Sequence, residues 1–370
     1  MSAISVVAAL AQMGAGVRRG PAPKVESPEE WRGILDLAAR HRVAPLVREA
    51  LSGAPGDLAP APIAAAFREQ AFLASATRML CEGALERLLA VTASRGIEVL
   101  VLKGATLAHS VYPRPELRVY HDLDVLCRPR DYARLREALL ASGHTCAPFA
   151  AASTSDGSHE TLAPKPSPIE SHSVRAFYDP SGDVKIEVHF DLLQLGLLDR
   201  HHEEFFREAR TLSAGPLEIP VLAPEHRFLH LAVHAQRHCF SRLGWLVDLD
   251  LVVRRQGDRL DWERVVRLAR DEGVGQVIRH VLATLNRLLG TPSPALPPPT
   301  LEERLLASCY RCLWPVGDVG RADRREHRRL MLFRPDADDL GPGVLYGLVL
   351  VGRRREKLQA LSMRARGVRG

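Results

Sequence analysis

The segment Leu117–Pro129 reads LRVYHDLDVLCRP and places two aspartates, Asp122 and Asp124, one residue apart in an otherwise apolar run. Side chains alternate faces along a strand, so Asp122 and Asp124 share one face, while Leu123 and Val125 share the other. Two carboxylates aimed the same way need a counter-charge, and hard divalent cations with oxygen ligands supply one. Farther on, KIEVHF puts Glu187 and His189 on one face of a second strand. If the two strands are neighbours, Asp122, Asp124 and Glu187 form a three-carboxylate set suited to one or two Mg²⁺ (or Mn²⁺) ions and in-line displacement at phosphorus. Upstream, VLVLKG ends a strand at Lys103–Gly104 and runs into a helix. A glycine there lets backbone approach a phosphate, the helix N-terminus favours anions, and Lys103 adds a cation.

Elements must hold these groups. SPEEWRGILDLAARHRVAPLVREAL begins with Ser27 as N-cap, Pro28 at N1 and Glu30 at N3, and reads as helix until SGAPGDLAPAP interrupts it. A long helix follows over about 63–94, with Leu73, Ala76, Leu80, Ala84 and Leu88 at helical spacing. RGIEVLVL is a buried strand after a turn glycine, and ATLAHSVY is a short helix. RPRDYARLREALLASGH is a helix closed by Gly143. Residues 147–171, rich in Pro, Ser, Thr and Ala, read as a long loop, and VRAFYDPSGDVKIEVHFDLL as two strands around a turn. From Pro224 onward the pattern is helical, with TPSPALPPPT as a linker. The expected architecture is α+β: a helical unit over 1–95, a mixed β-sheet core flanked by helices over 96–222, and a helical unit with a basic tail over 223–370.

The order Lys-Gly, Tyr-Pro, Arg, Asp-x-Asp, Glu-x-His resembles the DNA polymerase β-type nucleotidyltransferase superfamily. More closely it resembles the bacterial group of uncharacterised nucleotidyltransferase family proteins, through Lys103–Gly104, Tyr112–Pro113, Arg118, Asp122/Asp124 and Glu187/His189. The helical part is similar too, with His234, His238, Trp245 and Asp248 at the group's His-x₃-His, Trp and Asp positions. The resemblance extends from about Trp31 to about Leu289. It implies a nucleotidyltransferase-type fold and metal-dependent transfer of a nucleoside monophosphate from an NTP, ATP on general abundance. The acceptor would be a hydroxyl on a small molecule, peptide or protein, with pyrophosphate leaving. By that carry-over Asp122, Asp124 and Glu187 bind the metal, with Glu187 also a candidate general base. Two features depart from the wider superfamily: Ala105 stands where a serine would touch the phosphates, and the Gly104–Asp122 gap is longer.

The nucleotide-binding set is Lys103, Gly104, Arg118 and His189. Arg118 also reads as an ion-pair partner of the aspartates, and His189 as a metal ligand, an acceptor-site base or a satisfied strand histidine. His226, His230, His234 and His238 recur every fourth residue and wind along one broad helix face. His234 and His238 have zinc-ligand spacing, but no acidic residue lies between them, so the preferred reading is a polar stripe meeting nucleotide or acceptor, with packing between helices as the plain alternative. Asp248 joins this acceptor side, and Trp245 reads as core or as a stacking platform. A catalytically inactive nucleotide- or partner-binding module on the same fold is the rival function.

The 370 residues carry a formal charge of +6, and from Gly320 onward 13 Lys/Arg face six Asp/Glu. That excess suits a solvated basic tail or a phosphate-bearing partner, nucleic acid among them. Six cysteines are scattered along the chain, and the N-terminal segment lacks a charged stretch before its apolar part, which points to reduced thiols and a cytoplasmic setting. Cys309 and Cys312 lack the second pair that a zinc site needs. The longest C-terminal apolar run, VLYGLVLVG, is too short for a membrane span.

Overall fold

The alternation in VLVL and DLDVLC decides how this chain is layered. In a computed structural model, which describes residues 2–53, 58–146, 174–193, 201–238, 240–301 and 303–304, the two segments are adjacent strands, β1 (Val99–Leu102) and β2 (Asp122–Cys127). Five further strands join them: β3 (Thr145–Cys146), β4 (Val174–Tyr178), β5 (Lys185–His189), β6 (Arg210–Ala214) and β7 (Leu217–Val221). The sheet order is β3-β4-β5-β2-β1-β7-β6. It is mixed, with β2 parallel to β5, β1 parallel to β7 and the other neighbours antiparallel.

Each face of this sheet feeds a different core. Val99, Val101, Leu123, Val125, Ile186 and Val188 pack against the second half of helix α4 (Ala61–Ser94) and against α6 (Tyr132–Ala141). Leu100, Leu102 and Leu126 point the other way, into a larger cluster. That cluster gathers α1 (Ala3–Gly14), α2 (Pro28–Arg40) and α3 (Ala44–Ser52) from one end of the chain. From the other end it takes α8 (Pro224–Arg237), α9 (Leu243–Gln256), α10 (Trp262–Asp271) and α11 (Gly275–Leu289). The two ends are stitched by Gln12, whose Nε2 donates to Leu289 O at 2.7 Å and to Asp250 Oδ2 at 3.3 Å. Short helices α5 (Gly104–Ser110) and α7 (His202–Arg207) complete the 11 helices among the described residues. None of them is long and apolar enough to cross a membrane.

Local signals account for much of this. Ser27 Oγ accepts the Glu30 N–H at 3.2 Å, and the Glu30 carboxylate accepts the Glu26 N–H at 2.8 Å, so α2 starts on a reciprocal cap. Asp261 caps α10 through the Arg264 N–H at 2.9 Å. α1 and α3 cross so tightly at Gly14 that a Cβ there would lie 1.9 Å from the Leu46 carbonyl oxygen.

Three expectations are corrected. The helix read from Ser27 onward is two helices, because Arg42 takes φ 57° and turns the chain between them. The turn is fixed from outside: His41 O accepts the Gly244 N–H at 3.1 Å and His41 Nδ1 accepts the Leu243 N–H at 3.1 Å. On α4, Leu73 and Leu80 are 51% and 50% exposed, whereas Ala84 and Leu88 are buried, so the apolar stripe meets the core only in its second half. The hairpin β6–β7, turning at Gly215 (φ 61°), was not foreseen, although Leu217, Ile219 and Val221 alternate on β7 and the last two are buried in the core. The 147–171 loop, Cys309, Cys312 and the basic tail lie outside the described residues.

Candidate active site

The register of β2 and β5 decides the geometry. Asp122 pairs with Lys185, Asp124 with Glu187 and Leu126 with His189. Paired residues on parallel neighbours share a face, so Asp122, Asp124 and Glu187 converge, and all three line one cavity of about 420 Å³. β1 ends beside them, with Leu102 opposite Asp124, and this delivers Lys103 to the same spot.

Asp124 is the buried centre. Its Oδ1 accepts from Lys103 Nζ at 2.9 Å and from His189 Nε2 at 2.8 Å. Burial works against ionising this carboxyl, but the Lys103 charge and the His189 hydrogen bond outweigh it and hold Asp124 well below the usual carboxylate range. Glu187 is more open and takes Lys185 Nζ at 2.6 Å. Both carboxylates thus have an ammonium on them. Asp124, Glu187 and His189 each offer one ligand atom, and these lie within 4.8 Å of one another. Two carboxylate oxygens in this group suit a hard divalent cation, and Asp122, two residues before Asp124 on β2, lines the same cavity but lies outside the group.

Lys103 stands at φ 43°, ψ −106°, a conformation side chains rarely adopt. Arg42 (φ 57°) and Phe240 (φ 49°) are the other non-glycine residues with positive φ among those described. Lys103 and Arg42 line the cavity, and Phe240 is followed by two cavity residues, Ser241 and Arg242. Backbone strain of this kind persists where surrounding structure enforces it, and it collects at functional sites.

The opposite wall comes from the larger core. Trp245 on α9 packs edge-on to His234 at 4.9 Å between centroids and lies 5.1 Å from His238. Beneath it, Arg118 donates Nε and Nη2 to the two oxygens of Asp248 at 3.0 and 2.8 Å, and Tyr112 Oη donates to Asp248 at 2.8 Å. Burial opposes a charged Arg118, yet Asp248 keeps its pKa raised. The Tyr112 hydroxyl is pushed far up by burial and by the adjacent Asp248.

The cavity therefore brings together Lys103, Gly104, Arg118, Asp122, Asp124, Glu187, His234, His238 and Asp248. His189 is the exception. It is buried, takes no part in the lining and hydrogen-bonds Asp124, while still offering a ligand atom beside those of Asp124 and Glu187. Arg118 is paired with Asp248 and not with Asp122 or Asp124. The space beside Gly104 is taken by the Tyr120 ring, whose Cδ2 would sit 2.8 Å from an added Cβ. The histidine stripe divides: His226 bonds Glu204 at 3.3 Å, His230 donates Nδ1–H to Leu192 O at 2.8 Å, and His234 and His238 reach the cavity. Burial pushes His230 down to about 3, and burial with Lys103 nearby sets His234 well below the normal imidazole range. Sequence reasoning missed His41 and Arg42, which no local motif marks.

An open mixed sheet with carboxylates from adjacent strands lining a helix-walled cleft defines an α+β protein with an acidic cavity. The family model described as uncharacterised nucleotidyltransferase matches residues 27–290, and the chain belongs to that family. No curated protein matches the chain.

Proposed function

We propose that this protein is a metal-dependent nucleotidyltransferase on a nucleotidyltransferase-type fold. It moves a nucleoside monophosphate from an NTP, ATP first among candidates, onto a hydroxyl of a small molecule, peptide or protein. The observation that carries the reading is the convergence of Asp122, Asp124 and Glu187, from neighbouring parallel strands, on one cavity in a chain of this family. These three would hold Mg²⁺ or Mn²⁺, which when bound neutralises charge on the phosphates and on departing pyrophosphate. Lys103 and Gly104 sit at the phosphate side. Arg118 fixes the wall through Asp248. His234, His238 and Asp248 line the side that an acceptor would occupy. In the transfer, the acceptor O–H gives its proton to the Glu187 carboxylate, its oxygen bonds the α-phosphorus, and the bond to pyrophosphate breaks.

One observation favours a second reading, an inactive nucleotide- or partner-binding module: Oδ1 of Asp124 is already taken by both Lys103 and His189. Incubating the protein with each labelled NTP and Mg²⁺ or Mn²⁺ in lysate of its source, followed by mass spectrometry for a nucleotidylated product, separates the two. Transfer that disappears in Asp124→Asn supports the enzyme. Metal-dependent NTP binding without pyrophosphate release from any acceptor supports the module.

A further inference from the structure

We propose that Arg42 and Arg242 form a two-guanidinium clamp for the polyphosphate tail of the nucleotide; this rests on the reading of the chain as NTP-using. Both line the cavity. Among the described residues neither side chain has a hydrogen bond or an ion pair with a carboxylate, whereas Arg118 beside them is fully engaged by Asp248. The arrangement is built, not incidental. Arg42 is forced to positive φ, and the turn that carries it is bolted to the start of α9 through both hydrogen bonds of His41. Gly244 permits that contact, since a Cβ there would come within 3.0 Å of His41 O and 3.6 Å of Arg42 O. Arg242 immediately precedes α9 and lies over the Trp245 ring at 5.1 Å, which restricts the guanidinium before any ligand arrives.

Two such cations side by side repel. Burial, then the charge of Arg242, lowers the pKa of Arg42; Asp122 opposes this and Arg118 adds to it. A chain of phosphates removes that repulsion and matches the planar fork of each guanidinium, which binds phosphate oxygens in pairs. A single anionic group on an acceptor would share this chemistry, and the phosphate series below separates it from a polyphosphate chain.

The test uses the full chain in magnesium buffer with sodium orthophosphate, pyrophosphate and tripolyphosphate as probes, by calorimetry. These probes carry no base, so the outcome does not depend on which NTP is used. Affinity should climb along the series. Arg42→Gln and Arg242→Gln should each weaken tripolyphosphate about tenfold or more, the order expected for one charge-assisted contact. The double variant should flatten the series. Arg242→Gln lies outside the strained turn and guards against a folding defect at Arg42, and near-UV circular dichroism checks both. Wild-type affinity that does not rise with phosphate number, or folded variants that bind tripolyphosphate as wild type does, overturns the clamp. If the series climbs and the variants flatten it while no NTP supports transfer, the clamp stands and the proposed function falls. If transfer occurs with an unchanged KM for NTP in the double variant, the clamp falls and the function stands.

Discussion

The Arg118–Asp248–Tyr112 cluster offers a sharp energetic test. Arg118 is 9% and Asp248 2% exposed, and three hydrogen bonds of 2.8–3.0 Å converge on one carboxylate. Replacing Asp248 with Asn removes the negative charge and leaves a guanidinium buried without its counter-ion. Breaking such a pair costs about 3–5 kcal/mol, because the surviving charge keeps its desolvation penalty and loses its compensation. That is a large fraction of the about 5–15 kcal/mol that holds a domain together. Urea denaturation should therefore show the midpoint falling steeply at unchanged slope. The same reasoning makes a second demand. Arg118→Met with Asp248→Leu and Tyr112→Phe leaves no buried charge and no orphan hydroxyl, so most of the loss should return. If Asp248→Asn stays within about 1 kcal/mol of wild type, or the triple variant is no better than the single, the cluster is not the buried, coupled unit described above.

Three further outcomes follow from the geometry. Gly104→Ala drives a Cβ into the Tyr120 ring, so we expect about 1–3 kcal/mol of destabilisation together with loss of nucleotidyl transfer, read by urea midpoint and product assay on the same sample. Gly14→Ala meets backbone at Leu46 and not a movable side-chain tip; the cost should reach or exceed the top of that range without any direct effect on cavity residues. His41, His230 and His280 are pushed by burial from 6.5 to about 4, about 3 and about 4, so each is neutral in the folded chain and takes up a proton on unfolding below pH 6.5. Their contribution is complete above pH 6.5 and drains away as pH falls towards 4, at up to about 1.4 kcal/mol per pH unit for each group; urea curves between pH 7 and 4 that show no decline would contradict this.

How much of this was open to sequence reasoning depends on range. Asp122, Asp124 and Glu187 share a face because strands alternate, a rule that acts within three residues, and Ser27 and Gly143 mark helix ends for equally local reasons. That β2 and β5 are neighbours could be posed only as a condition, since strand pairing is settled by the whole sheet. The break at Arg42 was hidden because its cause, the start of α9, lies 202 residues away from His41 in the bond to Leu243. The role of His189 stayed open for a subtler reason: periodicity puts it on the carboxylate face but says nothing of depth, and it lies beneath Asp124 rather than among the cavity-lining residues. The hairpin β6–β7 has a short apolar alternation at Leu217, Ile219 and Val221, interrupted by Glu218 and Pro220, and Pro inside a run argues against a strand.

The hydrogen bonds of Gln12 to Leu289 and Asp250 tie a segment that precedes the sheet to segments that follow it. The wall facing the acidic strands is of the same mixed origin: His41 and Arg42 precede the sheet in the chain, and His234, His238, Trp245 and Asp248 follow it. A chain cut after His189 would keep its carboxylates and lose His234, His238, Trp245 and Asp248, so the strands alone do not make the cavity.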